Sequence, residues 1–434
     1  MSALLITLLL YLPLTLCVAV RMADVRDRVF LFKGVLVAWA IFTPLTALVN
    51  MWLPFSENGD DSSYYDLGSI PVQSVLELLD VSRFSAWMEQ PGLPLLLSVV
   101  TFLVGPDLLA FKLLNLCFMI LLALIWYRIA LLLMSAFFAR RVFLGILLLT
   151  PLWYSVACLL KDLSVVLLQS LFLLGLVQVW LRNTLSAWVL IFLATVALMP
   201  FRTFLVIQNL SIMLGGLGLK MISRKSGGRP VNIVITFAVI VVVLLLASNS
   251  SMLESCGVSS THRVIGSDAI QEALVEKNEA STLSALLFPL IYLFTEVTAL
   301  NPEGWQTFGF EWLRGVLALP WIFCVVPFFM LGLRWLFKPP SGVPLAKGWI
   351  ARLRASRLVS TPWGILFLFV LSMMLMSWQV GDTTRWRLPD LPVIATIAMA
   401  GWVTSPRVFR QHVLVGWIIG AWSLFMGYYA LRMA

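Results

Sequence analysis

The chain has 434 residues, of which 61% are hydrophobic and only 12% charged, whereas an average soluble domain is about a quarter charged. That balance excludes a soluble enzyme or binding module and makes lipid the solvent. The formal net charge of +9 does not point to nucleic acid, because most Lys and Arg residues fall in short loops between apolar runs, the positive-inside pattern.

The apolar runs are continuous rather than alternating, which predicts α-helices that satisfy their own backbone hydrogen bonds and excludes a β-barrel. Spans are expected near 2–20, 34–54, 107–134, 142–158, 163–181, 186–199, 204–219, 231–248, 316–336, 362–378, 391–404 and 413–431. The expected fold is an all-α polytopic membrane protein with about a dozen transmembrane helices in one membrane domain covering 1–434. The run 2–20 has no basic segment before it and positive charge after it, as a retained span entering from outside would.

Charge sets the orientation. Arg21, Arg26, Arg28 and Lys33, the pair Arg140 and Arg141, the cluster Lys220, Arg224, Lys225 and Arg229, the stretch Lys338 to Arg357, and Arg407 with Arg410 are expected to be cytoplasmic. The apolar piece 284–299 would invert this pattern if it crossed, so it is expected to lie as an interfacial or re-entrant helix on the external side. Segment 72–90, which mixes Val72, Val75, Leu76, Leu78 and Leu79 with Glu77, Asp80 and Arg83, fits an amphipathic helix in the headgroup plane. The first external loop, 55–106, the second, 249–315, and the segment 379–390 then share the outer face, and chemistry is expected there. Four cysteines lie in apolar runs and Cys256 stands alone in a polar loop, so no disulfide framework can be read.

Candidate chemistry begins with Ser56-Glu57-Asn58-Gly59-Asp60-Asp61-Ser62-Ser63-Tyr64, where carboxylates meet the chain as it leaves a span. Such a carboxylate can act as a general base toward an acceptor hydroxyl or amine, and a solvated Asp-rich turn is the plainer reading. Leu160-Lys161-Asp162 and Met199-Pro200-Phe201-Arg202 close two other spans on the same side. With Arg263, Arg385 and Arg387 they form a basic set able to hold phosphate, Arg as a two-point fork and Lys as a point charge. Interfacial Arg and Lys also snorkel or anchor helix ends, and Lys161 and Asp162 can simply neutralise each other. Asp60, Asp61 and Glu89 are hard oxygen ligands that could hold a divalent cation, although their spacing fixes no geometry. His262 beside Arg263 reads as a solvated loop histidine.

The order of motifs resembles the GT-C superfamily of membrane glycosyltransferases, which includes protein O-mannosyltransferases and lipid A aminoarabinose transferases. The resemblance is carried by the acidic first loop, the Pro91-Gly92-Leu93-Pro94-Leu95-Leu96-Leu97 continuation, the Gly105-Pro106 turn, Lys112-Leu113-Leu114-Asn115, Leu160-Lys161-Asp162, Met199-Pro200-Phe201-Arg202 and Arg385-Trp386-Arg387-Leu388-Pro389. It implies that Asp60 is the leading aspartate of the Asp-Glu-x-x-Tyr pattern, with Asp61 in the Glu place and Tyr64 as the tyrosine; Asp162, from its place at the membrane boundary, reads as a second acidic group orienting acceptor or cation. Glu89 falls where aminoarabinose transferases have Glu-Lys-Pro-Pro, but this chain reads Glu89-Gln90-Pro91-Gly92.

The implied activity is transfer of a sugar from a polyprenyl-phosphate donor to a glycan, lipid or protein acceptor on the outer face of a bacterial inner membrane. The alternative is an exopolysaccharide or O-antigen polymerase or ligase using undecaprenyl-diphosphate glycans and relying on the arginines rather than Asp60. A transporter or flippase would call for paired halves with broken helices and polar residues deep in several spans, and neither is evident.

Overall fold

The computed structural model describes residues 2–55, 60–70, 91–202, 204–224, 316, 318–340, 348–380 and 388–433. The expected span 231–248, the interfacial segments 72–90 and 284–299, and the whole of loop 249–315 lie outside these residues. Every element among the described residues is helical, in agreement with an all-α membrane protein.

In chain order the helices are α1 (Ala3–Met22), α2 (Arg28–Trp52), α3 (Asp60–Gly68), α4 (Gly92–Val104), α5 (Leu108–Leu133), α6 (Ala136–Leu147) and α7 (Thr150–Ala157). They are followed by α8 (Asp162–Leu181), α9 (Leu185–Leu198), α10 (Phe204–Arg224), α11 (Ala318–Leu336), α12 (Trp349–Ala355), α13 (Trp363–Val380), α14 (Leu391–Thr404) and α15 (Arg407–Met433). Among the described residues, 6 helices are long and apolar enough to cross a bilayer, or 7 if the bent pair α6–α7 is one span.

Helix α5 is the central post. It is apolar on all sides, as a helix surrounded by other helices should be, and it buries Phe111, Leu113, Leu116, Met119, Ile120 and Trp126 completely. Its start is fixed by Asp107, whose carboxylate accepts from the Leu109 and Ala110 amides at 3.0 and 3.2 Å and from Ala3 N at 3.2 Å. Helices α1, α2, α6 and α8 pack around it.

The run expected as a single span at 142–158 begins earlier and is broken. Ser135 caps α6, and α6 and α7 meet at 44°. The break falls where Leu149 adopts an extended backbone ahead of Thr150-Pro151, since a proline lacks the amide that would continue the ladder. Apolar helix α4 is a further element inside the segment expected as the first external loop.

Elsewhere α11 and α14 approach until a Cβ on Gly332 would fall 2.2 Å from Ile397 O, and one on Gly401 2.4 Å from Gly332 N. Such small-residue contacts let helix backbones close up in lipid.

One end of the bundle collects the basic loops. Arg140 donates to the Asp27 carboxylate, whose second oxygen accepts from Tyr127 Oη at 2.6 Å. Lys220 Nζ donates to Val179 O at 2.7 Å, Arg354 to Ile222 O at 3.4 Å, and the Arg357 amide to Lys338 O at 3.0 Å. Trp363 joins the two groups by edge contacts with Phe138 and Trp335. Loops far apart in sequence, all expected on the cytoplasmic side from charge alone, are thus held against one another.

Candidate active site

The opposite end of the bundle is assembled from four short segments, each of which ends or begins a helix. The exit of α2 comes first. Lys112, fully buried on α5, donates to Leu53 O at 3.2 Å and Pro54 O at 2.7 Å. A cation there neutralises the carbonyl end of α2, where the helix dipole is negative. One turn later on the same face of α5, Asn115 Nδ2 donates to Ser155 O at 3.1 Å and Leu160 O at 3.2 Å. The Lys112-Leu113-Leu114-Asn115 motif therefore clamps the exit of α2 and the α7–α8 corner to α5.

That corner presents Lys161 and Asp162 at the N-terminus of α8, where a carboxylate is favoured by the helix dipole. Asp162 is buried, and its Oδ1 accepts from Arg202 Nη2 at 2.6 Å. Arg202 closes the turn after α9 and is itself 6% exposed. The ionic partner of Asp162 therefore comes from the end of another helix, 40 residues on in the chain.

The same α9–α10 turn carries α4. The Gly92 amide donates to Pro200 O at 2.9 Å, and a Cβ on Gly92 would fall 2.8 Å from the Phe201 ring. Pro91-Gly92 and Pro200-Phe201-Arg202, two of the motifs singled out in the sequence, thus fit together through a contact that only glycine allows.

Helix α3 completes the assembly. Its last turn is tied to α4 by Thr101 Oγ1 donating to Gly68 O at 2.7 Å, with a Cβ on Gly68 only 2.4 Å from Leu97 Cβ. Tyr65 packs on Phe55 and Phe111 with ring centroids 5.6 and 5.8 Å apart, and Tyr64 is buried. Asp60 and Asp61 form the first turn of α3, where the backbone alone is described. Asp60 follows Pro54 by six residues, so it lies within about 20 Å of the Lys112 clamp.

Of the expected site residues, Asp162 and Arg202 come into direct contact. Lys161 adjoins Asp162 in the chain, and the buried Tyr64 anchors the helix that starts at Asp60. Glu89, Arg263, Arg385 and Arg387 lie outside the described residues. The Leu388–Asp390 turn that follows Arg387 is buried against α8. Among the described residues, no three His, Cys, Asp or Glu side chains gather into a metal site.

Lys112 and Asn115 are the positions whose work the sequence did not declare. The available signal was a lysine inside an otherwise apolar span, which is costly unless it has partners.

No family model, curated protein or solved structure matches this chain.

Proposed function

We propose that the chain is a membrane glycosyltransferase that moves a sugar from a polyprenyl-phosphate donor to a glycan, lipid or protein acceptor. It would work at the external face of a bacterial inner membrane, with the GT-C arrangement of about a dozen spans. The observation that carries this reading is the Asp162–Arg202 contact, with Gly92 seated on Pro200-Phe201 beside it. Three motifs from separate parts of the chain meet at the end of the bundle from which α3 and its leading Asp60 emerge.

In this reading the Asp60 carboxylate takes the proton of the acceptor hydroxyl. The acceptor oxygen bonds to the anomeric carbon as the bond from that carbon to the lipid phosphate oxygen breaks, and the phosphate departs with the electron pair. Lys161 and the arginines stabilise the charge that develops on it. Asp162 keeps Arg202 in register, and the prenyl chain lies against the apolar flanks of the spans.

A second reading, a polymerase or ligase using undecaprenyl-diphosphate glycans, is favoured by one feature. Arg202, one of the arginines that reading relies on, is held buried at this end of the bundle by its contact with Asp162.

The test is transfer by the purified chain from a panel of polyprenyl-phosphate and polyprenyl-diphosphate sugars, comparing wild type with Asp60→Asn of matched thermal stability. Loss of monophosphate-donor turnover in a folded Asp60→Asn chain supports the transferase. Activity restricted to diphosphate donors and unaffected by Asp60→Asn supports the polymerase instead. No transfer from any donor by the folded wild type counts against both.

A further inference from the structure

At the basic end of the bundle, between the foot of α11 and the corner joining α14 to α15, lies a cavity of about 330 Å³. This is within the range of ligand pockets, about 300–1,000 Å³. Leu331, Arg334, Trp335 and Lys338 line one wall, and Ser405 and Phe409 line the other. Leu331, Arg334 and Trp335 share one face of α11, and Lys338 follows just past its end.

The cavity is cationic, and among the described residues its lining holds no acid. Residues 312–381 and 391–434 contain no Asp or Glu. The two ion pairs of known geometry, Asp27–Arg140 and Asp162–Arg202, lie elsewhere, and Asp390 is buried against α8 at the opposite end. The Arg334 guanidinium lies over the Phe409 ring at 5.5 Å, an arrangement that fixes the group while leaving its charge uncancelled. Just beyond, Arg410 lies over Trp402 at 4.7 Å and buries its Nε without a hydrogen-bond partner. Around the cavity, Met330, Phe337 and Val408 are exposed apolar side chains, the surface expected where a helix end meets acyl chains.

We propose that this cavity binds the phosphate headgroup of an anionic phospholipid from the leaflet on the basic side. The Arg334 fork and the Lys338 ammonium meet the phosphate oxygens, and the Ser405 hydroxyl donates a hydrogen bond. Leu331, Trp335 and the exposed Met330 and Phe337 accept the glycerol and upper acyl chain. Basic pockets between transmembrane helices recognise headgroups in this way. A free phosphate would use the cations but not the apolar surround. The site lies at the far end of the bundle from the Asp162–Arg202 corner and does not depend on the transferase reading.

The experiment measures thermal unfolding of the full chain in mild detergent, titrated separately with phosphatidylglycerol, phosphatidylcholine and inorganic phosphate. Phosphatidylglycerol alone is expected to raise the unfolding temperature. Its apparent affinity is expected to fall about thirtyfold in Arg334→Gln/Lys338→Gln, since each cation near an anionic headgroup contributes about 1 kcal/mol. Ser405→Glu, which keeps both cations and adds a repelling carboxylate, should weaken it as well, and it serves if the double variant does not fold. Arg26→Gln/Arg28→Gln removes the same charge from exposed positions elsewhere and should leave the affinity unchanged. An equal loss in that control, an equal response to phosphatidylcholine, or full reproduction of the effect by inorganic phosphate would each overturn the proposal.

Discussion

Asp162 and Arg202 stand 40 residues apart in the chain and 2.6 Å apart in space, with side chains no more than 7% exposed. In surroundings of low dielectric, a charge that loses its partner costs far more than the pair gains by forming. Arg202→Ala or Asp162→Ala is therefore expected to lower stability by about 3–5 kcal/mol. The double variant Asp162→Ala/Arg202→Ala should lose clearly less than the sum of its single changes. Detergent-solubilised unfolding of all four chains measures the coupling, and additive losses would mean that the pair is not a unit.

The seat of α4 on the α9–α10 turn gives a second prediction. Gly92→Ala drives a methyl into the Phe201 ring, and overpacking of this kind costs about 1–3 kcal/mol. Phe201→Leu in the same chain should recover most of the loss, which unfolding temperatures of the single and double variants would reveal. If Gly92→Ala is neutral, the contact with Phe201 is looser than its geometry implies.

Lys112 is a structural cation, so its replacement should act on the exit of α2 rather than on chemistry alone. Lys112→Met keeps the bulk but leaves the Leu53 and Pro54 carbonyls without their donor, a loss of about 1–3 kcal/mol. Faster proteolytic cleavage between residues 53 and 60, compared with wild type, is the expected sign. Unchanged cleavage with unchanged stability would remove the clamp from the description.

At the basic end, Asp27 is wholly buried, whereas the Arg140 side chain is 43% exposed. A partly exposed guanidinium can turn to water when its partner is lost, but a buried carboxylate has no such recourse. Arg140→Ala, which leaves Asp27 charged and buried, should destabilise more than Asp27→Ala, and Tyr127→Phe should fall between wild type and Arg140→Ala. Ranking the three by midpoint of thermal unfolding tests the order, and a larger effect for Asp27→Ala would reverse the assignment.

The long apolar helices among the described residues were legible because hydropathy is a property of composition within a short window. Runs such as 107–134 and 163–181 became α5 and α8 with ends shifted by little. The break between α6 and α7 was harder to see, since Leu148 and Leu149 continue the apolar run and only Thr150-Pro151 interrupts the backbone ladder. Helix α4 escaped because its 13 residues are fewer than a crossing needs.

At the site, the motifs Lys161-Asp162 and Pro200-Phe201-Arg202 were visible as residues. Their pairing was not, because it depends on two spans returning to the same end at the same height. The clamp by Lys112 and Asn115 was hidden for a related reason: their acceptors are main-chain carbonyls, which every residue possesses and no sequence marks.

Helix α9 has 14 residues and turns Phe192, Leu193 and Val196 outward. At 1.5 Å per residue its apolar face is only about 21 Å tall, against about 30 Å of hydrocarbon in an ordinary bilayer, while α8 packed against it runs for 20 residues. A bilayer that α9 crosses is therefore thinned where its outer face meets lipid. Each ångström of pinching carries a small cost, and those costs sum. Acyl-chain length then becomes a control on the protein: shorter-chain membranes relax the pinch beside Met199–Arg202, and thicker ones strain the corner that holds Arg202 to Asp162.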